Sequence, residues 1–255
     1  MKMHFLSGGR LRMRKAIFLP GVEKSATIEL PIASVLLRHA QGNVLFDTGC
    51  HPSVASPAEA EARWGTLARV MTPIMGKDDN VLAGLSGLGM QADDIDVVIC
   101  SHLHADHCGC NAFFKKATLI VHARELEAAR ADDAQAQGFF RADWDHPMPI
   151  DTVNAERDVF GDGRITLLPL PGHTPGTMSA LVQLERSGAF LLASDTVSLR
   201  ETLDDGVMPK HTWNAEVLAK SLVEVRRIAA QGATIICSHD DRQWQTLRKG
   251  ADAYD

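Results

Sequence analysis

Short apolar runs rich in β-branched residues recur along the chain, and they end in polar loops. Runs of this length, bounded by turn-forming residues, are typical of β-strands. Between them lie longer stretches whose apolar residues recur at helical spacing. The predicted strands cover residues 32–38, 43–46, 96–100, 118–121, 165–169, 179–184, 190–193 and 234–237, and the predicted helices cover residues 78–88, 123–131 and 215–230.

Strands and helices alternate over the whole length, and no domain boundary is visible. This alternation predicts a single α/β domain, residues 1–255, in which sheets pack against helices. Residues 52–80 stand apart because they carry an apolar stripe at roughly helical period, which includes Trp64 and Met71. Two interpretations of this segment stay open: a helix packed on the core, or a lid or subunit contact near the entrance of a site.

Composition excludes several classes of protein. The chain has 255 residues, and its 26 basic and 32 acidic side chains give a formal charge of −6 with no Lys/Arg cluster, which argues against a nucleic-acid groove. No signal peptide is visible, and no stretch approaches the roughly 20 apolar residues of a membrane helix. The five cysteines, an odd number in no secreted-domain pattern, favour reduced thiols. We therefore expect a cytoplasmic protein with neither a nucleic-acid nor a membrane partner.

A dense group of polar residues directly follows a predicted strand, in the run Ser-His-Leu-His-Ala-Asp-His-Cys-Gly at residues 101–109. His102 and His104 are two residues apart, so both can face one point from the end of the strand. Asp106 and His107 follow where the chain must turn, and they can approach that point from another side. Imidazole nitrogens and a carboxylate oxygen suit zinc or a similar divalent ion.

Four ligands are too few to complete the coordination shells of two metal ions, so we expect further ligands from later loops. Three candidates each lie in a loop after a predicted strand, which is the usual place for a site on a rigid scaffold. They are His173 in Pro-Gly-His-Thr-Pro-Gly, Asp195 in Ala-Ser-Asp-Thr and His239 in Cys-Ser-His-Asp.

This set of motifs resembles the metallo-β-lactamase superfamily. The signature of that family is His-x-His-x-Asp-His followed by a Gly-His-Thr loop, a lone Asp and a late His, and all of these appear here in order. The run Leu-Phe-Asp-Thr-Gly at residues 45–49 matches an early motif of the family. The resemblance covers residues 30–245, and it implies a four-layer αββα sandwich with the site at one edge, between the two sheets.

The same resemblance implies a site for two divalent metal ions, most simply Zn²⁺, held by seven residues. The implied ligands are His102, His104 and His173 for the first ion, Asp106, His107 and His239 for the second, and Asp195 as the bridge between them. Asp47 would steady the ligand loop without binding metal itself.

Within the superfamily, the chain is most similar to the N-acyl-homoserine lactonase group and its relative 4-pyridoxolactonase. The similarity lies in the motif at residues 101–109, in Pro-Gly-His-Thr-Pro-Gly and in Ser-His-Asp, at matching intervals. It implies hydrolysis of a small lactone, in which hydroxide generated at the metals attacks the ester carbonyl. Asp106 would act as the catalytic residue by taking and returning the proton.

Two positions depart from the lactonase pattern. Ser198 stands where these enzymes usually have a substrate-contacting tyrosine, and the one tyrosine of the chain is Tyr254. Whether Ser198 replaces that tyrosine as a hydrogen-bond donor is left open by the sequence. Cys110 stands where glycine is common, and we expect both Cys108 and Cys110 to be small buried residues.

Other functions stay open on the sequence alone. The same bimetal site can hydrolyse another carboxylic ester, a thioester or a phosphotriester, and the superfamily also hosts iron-dependent redox enzymes. Apolar residues of segments 52–80, with Trp64 and Met71, and 138–149 are candidate walls for a substrate, and the first segment is also a candidate homodimer contact. Most of the six remaining histidines are expected to lie on the surface or in packing positions: His4, His39, His51, His122, His146 and His211.

Overall fold

A computed structural model describes all of residues 1–255, and its strands form two sheets. The first sheet contains β1 (Lys2–Arg14), β2 (Thr27–His39), β3 (Gly42–Phe46), β4 (Thr72–Pro73), β5 (Val97–Ile99), β6 (Thr118–His122) and β7 (Ile150–Val153). The second contains β8 (Arg157–Asp158), β9 (Ile165–Pro169), β10 (Met178–Leu184), β11 (Gly188–Leu192) and β12 (Thr234–Ile236). The strand orders are β4-β1-β2-β3-β5-β6-β7 and β12-β11-β10-β9-β8, with β3, β5, β6 and β7 parallel and β11 parallel to β12.

The chain has nine α-helices, and several of them cover the outer faces of the two sheets. The nine are α1 (Lys15–Phe18), α2 (Pro57–Trp64), α3 (Val81–Gly87), α4 (Ala105–Cys108), α5 (Ala123–Ala129), α6 (Arg141–Trp144), α7 (Arg200–Asp204), α8 (Ala215–Ala230) and α9 (Asp241–Thr246). Helices α3, α5 and α6 pack on the first sheet, and α7 and α8 pack on the second. With the interior that the two sheets share, this makes four αββα layers, which confirms the predicted fold class. None of the helices is long and apolar enough to cross a bilayer.

Alternate residues of the central strands face two different cores, because successive side chains of a strand point to opposite faces. In β2, Val35 and Leu37 enter the interior between the sheets, whereas Leu36 packs under the helices. In β11, Leu192 faces the same interior and Leu191 faces α8. Strands that are covered on both faces carry continuous apolar runs, and this makes them recognisable in the sequence.

The sequence predicts α8 with its observed bounds. The helix predicted over residues 78–88 is longer than the observed α3. Helix α3 begins only at Val81, because the Asn80 side chain accepts hydrogen bonds from the N–H groups of Leu82 and Ala83. A side chain that satisfies these free N–H groups fixes the start of a helix. The residues before Asn80 therefore lie outside the helix.

Strand β1 is 13 residues long and is absent from the predicted elements. Gly8 and Gly9 lie at its centre, where the pairing with β2 is irregular, and glycine weakens the pattern by which a strand is recognised. These glycines allow a close approach, since a Cβ atom on Gly49 would lie 2.3 Å from the Gly8 Cα. The Cys50 N–H donates to the Gly8 carbonyl at 2.8 Å, so β1 fixes the loop that follows β3.

Residues 52–80 do not form one helix but two 3-10 turns, α2 and the short strand β4. Trp64 is 2% exposed and packs in a core with Val54 and Phe140. This part of the segment is therefore packed on the core. Val70, by contrast, is 42% exposed.

Candidate metal centre

Four loops that follow strands converge at one edge of the sandwich. The run at residues 101–109 follows β5 and turns into α4, and the loop that carries His173 joins β9 to β10. Asp195 follows β11, and His239 follows β12. Because β5 belongs to the first sheet and the other strands to the second, the cluster of side chains lies where the two sheets meet.

The three histidines predicted for the first ion lie together. Ring nitrogens of His102, His104 and His173 are all within 4.8 Å of one another. His173 Nε2 lies 3.0 Å from His104 Nδ1, and the His102 ring stands edge-on to both of the other rings. Three imidazole nitrogens that converge in this way can bind one cation.

The residues predicted for the second ion, Asp106, His107 and His239, form a similar group within 4.8 Å. Asp106 Oδ2 lies 3.6 Å from His107 Nε2 and 3.7 Å from His239 Nε2. These separations are too long for hydrogen bonds. They are close to the roughly 3.4 Å that separates ligand atoms around a tetrahedral ion with bonds of about 2.1 Å.

Asp195 lies between the two groups. Its Oδ1 is 3.0 Å from His239 Nε2 and 3.5 Å from His107 Nε2, while its Oδ2 is 3.4 Å from His173 Nε2. Burial alone would raise the pKa of Asp195, but these three imidazoles hold that pKa well below its usual range. One carboxylate oxygen therefore faces each group, with the carboxylate ionised.

The chemistry of the cluster favours a bound cation. His102 Nε2 and His107 Nε2 are buried and have no hydrogen-bond partner within the protein, a situation that costs about 1–3 kcal/mol per atom. Burial lowers the pKa of His107, but Asp106, Asp47 and Asp195 outweigh it and raise that pKa to about 10. A site that attracts positive charge and presents free imidazole nitrogens fits a dinuclear divalent metal centre.

Comparison with known proteins agrees with this geometry. The family model described as the metallo-beta-lactamase superfamily matches residues 27–239, which is most of the chain. The chain belongs to the metallo-β-lactamase superfamily. The matched span begins at the start of β2 and ends at His239, so it contains every candidate ligand.

Several superfamily members resemble the chain over its full length. AttM of Azorhizobium caulinodans, an N-acyl homoserine lactonase, is 30% identical over 262 residues, which cover 100% of this chain and 99% of the relative. AttM of Agrobacterium fabrum, also an N-acyl homoserine lactonase, is 29% identical over 100% of this chain and 98% of the relative. A solved N-acyl homoserine lactone hydrolase, with the product N-hexanoyl-L-homoserine bound at its catalytic metal center, has a TM-score of 0.89 at 25% identity, over 99% of this chain and 98% of that one.

In this member of the superfamily, Asp47 holds the ligand run in place. Its Oδ1 accepts a hydrogen bond from the Ser101 N–H at 2.7 Å, and its Oδ2 accepts from the Ser101 hydroxyl and from His107 Nδ1 at 2.8 Å. The Ser194 hydroxyl donates to the Ser101 hydroxyl at 2.7 Å, which joins loops of the two sheets. Asp47 and Ser194 have φ angles of 57° and 49°, a strained state for residues other than glycine that clusters at functional sites. The sequence predicts the supporting role of Asp47 but not the roles of the two serines.

Glu125 in α5 connects two of the loops that carry candidate ligands, and the sequence does not predict this role. Its carboxylate accepts hydrogen bonds from the Leu103 N–H at 3.0 Å, the Gly176 N–H at 3.0 Å and the Thr174 hydroxyl at 2.6 Å. Leu103 lies between two candidate ligands, and Thr174 follows His173. Burial raises the pKa of Glu125 to about 7, although these three hydrogen bonds oppose the rise. Glu125 therefore fixes the distance between the two loops.

We expect Glu125→Gln to weaken metal binding about 10- to 100-fold, as is typical when a group that orients ligands is lost. The amide nitrogen of glutamine would face a donor, and an unsatisfied buried donor costs about 1–3 kcal/mol of stability. Metal affinity by competition with a chelator and thermal unfolding would measure both effects. Glu127→Gln, an exposed position on the same helix, is the matched control, and equal behaviour of the two variants would contradict the role of Glu125.

A cavity of about 370 Å³ opens onto the cluster, and Asp106 and Asp195 line it. Its walls are largely apolar and include Leu67, Val70 and Met71 from the segment 52–80. The sequence prediction is right for Met71 but wrong for Trp64, whose indole is buried in the core and donates to Asp143 Oδ2 at 3.4 Å. From the other predicted wall, residues 138–149, only Gly138 and Phe139 reach the cavity, because the chain then turns into α6.

The remaining histidines and cysteines mostly follow expectation. His146 does not line the cavity, and all five cysteines are buried and unpaired. His211 is the exception, because it lines the cavity next to His173. It lies in the loop between α7 and α8, away from any strand end, so no local motif marks it in the sequence.

Proposed function

We propose that the chain hydrolyses small lactones of the N-acyl-homoserine lactone kind with two divalent metal ions, most simply Zn²⁺. The observation that carries this proposal is the cluster of seven candidate ligands at the base of an apolar cavity. Support comes from the two AttM relatives, which are N-acyl homoserine lactonases that align with the whole chain. Further support comes from the similar solved hydrolase, which holds N-hexanoyl-L-homoserine at its metal center.

The proposed ligand set keeps the two groups that the geometry brings together. Under this proposal the first ion is held by His102, His104 and His173, the second by Asp106, His107 and His239, and both by Asp195. The position of Asp195, with one oxygen towards each group, supports the bridging role.

When bound, two divalent ions supply a nucleophile from water at neutral pH and polarise the carbonyl group of the substrate. The residues of the chain then orient and move protons. Asp106 lines the cavity, so its carboxylate can accept the proton that water loses on attacking the carbonyl carbon. As the bond from that carbon to the ring oxygen breaks, Asp106 returns the proton to the ring oxygen, and the product is an open-chain hydroxy acid.

The apolar walls of the cavity suit the acyl chain of such a substrate. We expect Met71→Ala to raise KM for long-chain acyl-homoserine lactones about three- to tenfold, since each buried methylene is worth up to about 0.8 kcal/mol. Values of kcat should change little, because Met71 is not one of the proposed ligands. Steady-state kinetics on short-chain and long-chain lactones measures the difference, and an equal KM change for both would contradict a wall for the acyl chain.

A substrate panel tests the proposed function. It contains short-chain and long-chain acyl-homoserine lactones, γ-butyrolactone, an aromatic lactone, an aryl ester and a phosphotriester. The proposal predicts that an acyl-homoserine lactone has the highest kcat/KM. Turnover of the aryl ester or the phosphotriester without opening of any lactone would contradict it and favour a different hydrolase.

Three broader features belong to the same proposal. The unpaired state of all five cysteines supports a reducing compartment such as the cytoplasm. A single domain over residues 1–255 and a homodimer contact through residues 52–80 stay predictions from the sequence. Exposed Val70 lies in that segment and also lines the cavity.

A further inference from the structure

His211 is held beside the candidate metal centre without belonging to either group of proposed ligands. One of its ring nitrogens lies within 4.8 Å of ligand atoms of His173 and Asp195. Its ring stands edge-on to Phe18 and to His173, with centroids 4.8 and 5.0 Å away. Contacts on two sides fix the orientation of the ring next to the place where a substrate would react.

The two ring nitrogens of His211 have different surroundings. Nδ1 is buried and makes no hydrogen bond within the protein. Nε2 makes no hydrogen bond within the protein and is not among the buried atoms that lack a partner, so it is the more accessible nitrogen, and we infer that the ring meets the cavity through it. With its proton on Nε2, the ring presents one N–H donor to a bound substrate.

The residue at the position of the usual lactonase tyrosine cannot make this contact. Ser198 is 0% exposed, its hydroxyl is buried, and it does not line the cavity. Tyr254 packs against Phe5 and Phe190 in the interior between the sheets. The question that the sequence left open about Ser198 therefore has a negative answer.

The other side-chain donors of the cavity are engaged or exposed. The Thr174 hydroxyl donates to Glu125, and the Thr212 hydroxyl donates to the Pro209 carbonyl. The remaining donors outside the proposed ligand set are exposed side chains, namely Gln137, Lys210 and Trp213. His211 is therefore the half-buried donor that is free to serve a substrate near the metals.

We propose that His211 donates a hydrogen bond from Nε2 to an oxygen of the bound lactone that gains negative charge as the ring opens. This inference rests on the proposed lactonase function and adds to it a catalytic residue outside the ligand set. Water adds to the carbonyl carbon, the bond from that carbon to the ring oxygen breaks, and the proton of the water passes through Asp106 to the ring oxygen. His211 keeps its own proton throughout and stabilises the developing charge.

Two substitutions at His211 distinguish the effect of its N–H donor from the effect of its ring. His211→Phe keeps a ring and removes the N–H group, whereas His211→Gln keeps an N–H donor. We expect kcat/KM for the best lactone to fall about 10- to 100-fold in His211→Phe, mainly through kcat, because a hydrogen bond to a charged group is worth this much. His211→Gln should recover at least part of the loss, and both variants should keep the metal content of the native chain. His146→Phe, at a histidine outside the cavity, should match the native chain.

Three outcomes would overturn the proposal. A native value of kcat/KM in His211→Phe would show that no donor is needed there. Loss of metal from His211→Phe would make His211 a ligand, and an equal loss of activity in both variants with metal retained would make it a packing residue.

If the native chain cleaves the aryl ester but opens no lactone, the proposed function fails by itself. The same variants measured on that ester then decide the role of His211 by the same criteria.

Discussion

Asp195→Ala is expected to lower kcat/KM for lactone opening by about 10³-fold or more. Asp195 is 5% exposed and offers one oxygen to each group of proposed ligands. Without it, two ions held by these groups would lose the carboxylate that is proposed to bridge them. Charge stabilisation by metal ions is worth several kcal/mol, and each roughly 1.4 kcal/mol is a tenfold change in rate. Steady-state kinetics together with metal analysis of the same preparation measures the effect.

The control for this prediction is Asp205→Ala, which removes an exposed carboxylate elsewhere on the chain. It should keep the native rate and metal content. If Asp195→Ala retained more than about a tenth of native kcat/KM, the bridging role and the mechanism built on it would be untenable, because a tenfold loss corresponds to only about 1.4 kcal/mol.

Removal of the metal ions is expected to lower Tm by about 8–16 °C. Metal that binds only the folded chain stabilises it by about 4 kcal/mol when its free concentration is a thousand times Kd, and each kcal/mol moves Tm by about 2–4 °C for a chain of this size. Removal also leaves His102 Nε2 and His107 Nε2 buried without partners. Thermal unfolding before and after treatment with a chelator measures the shift, and adding Zn²⁺ back should reverse it.

The difference in Tm should widen as the pH rises. Nearby carboxylates outweigh burial and raise the pKa of His107 from 6.5 to about 10 in the metal-free chain. A group whose pKa is raised in the folded state contributes stability that is fully present below pH 6.5 and is lost as the pH rises through about 10. Metal binding displaces that proton, so it strengthens over the same range. A Tm difference between the metal-loaded and the metal-free chain that is no larger at about pH 8.5 than at pH 6.5 would contradict this prediction.

Local sequence patterns predict the parts of the molecule that local physics determines. Strands such as β2 and β11 are covered on both faces and so appear as continuous apolar runs. The motif at residues 101–109 is visible because its candidate ligands come from one short run of the chain. His173, Asp195 and His239 are predicted as ligands because each follows a strand and matches a known family pattern.

The features that the sequence did not predict all depend on contacts between distant segments. Strand β1 carries two central glycines, whose use becomes apparent only when Gly8 meets Gly49. Glu125 looks like any helix residue until its carboxylate is seen to join two ligand loops. His211 has no motif around it and enters the cavity only through the packing of its loop on Phe18. Trp64, predicted as a cavity wall, is buried because α2 turns it into the core.

The most direct test of the account is a metal titration of the metal-free chain, followed by the rate of opening of an acyl-homoserine lactone. If the two groups of ligands act together through Asp195, the rate stays low until both sites fill, and it saturates at two equivalents of Zn²⁺ per chain. Full activity at one equivalent, or activity that needs no metal, would contradict a dinuclear mechanism. Saturation at two equivalents without lactone opening, but with hydrolysis of another ester, would keep the metal centre and reject the lactone.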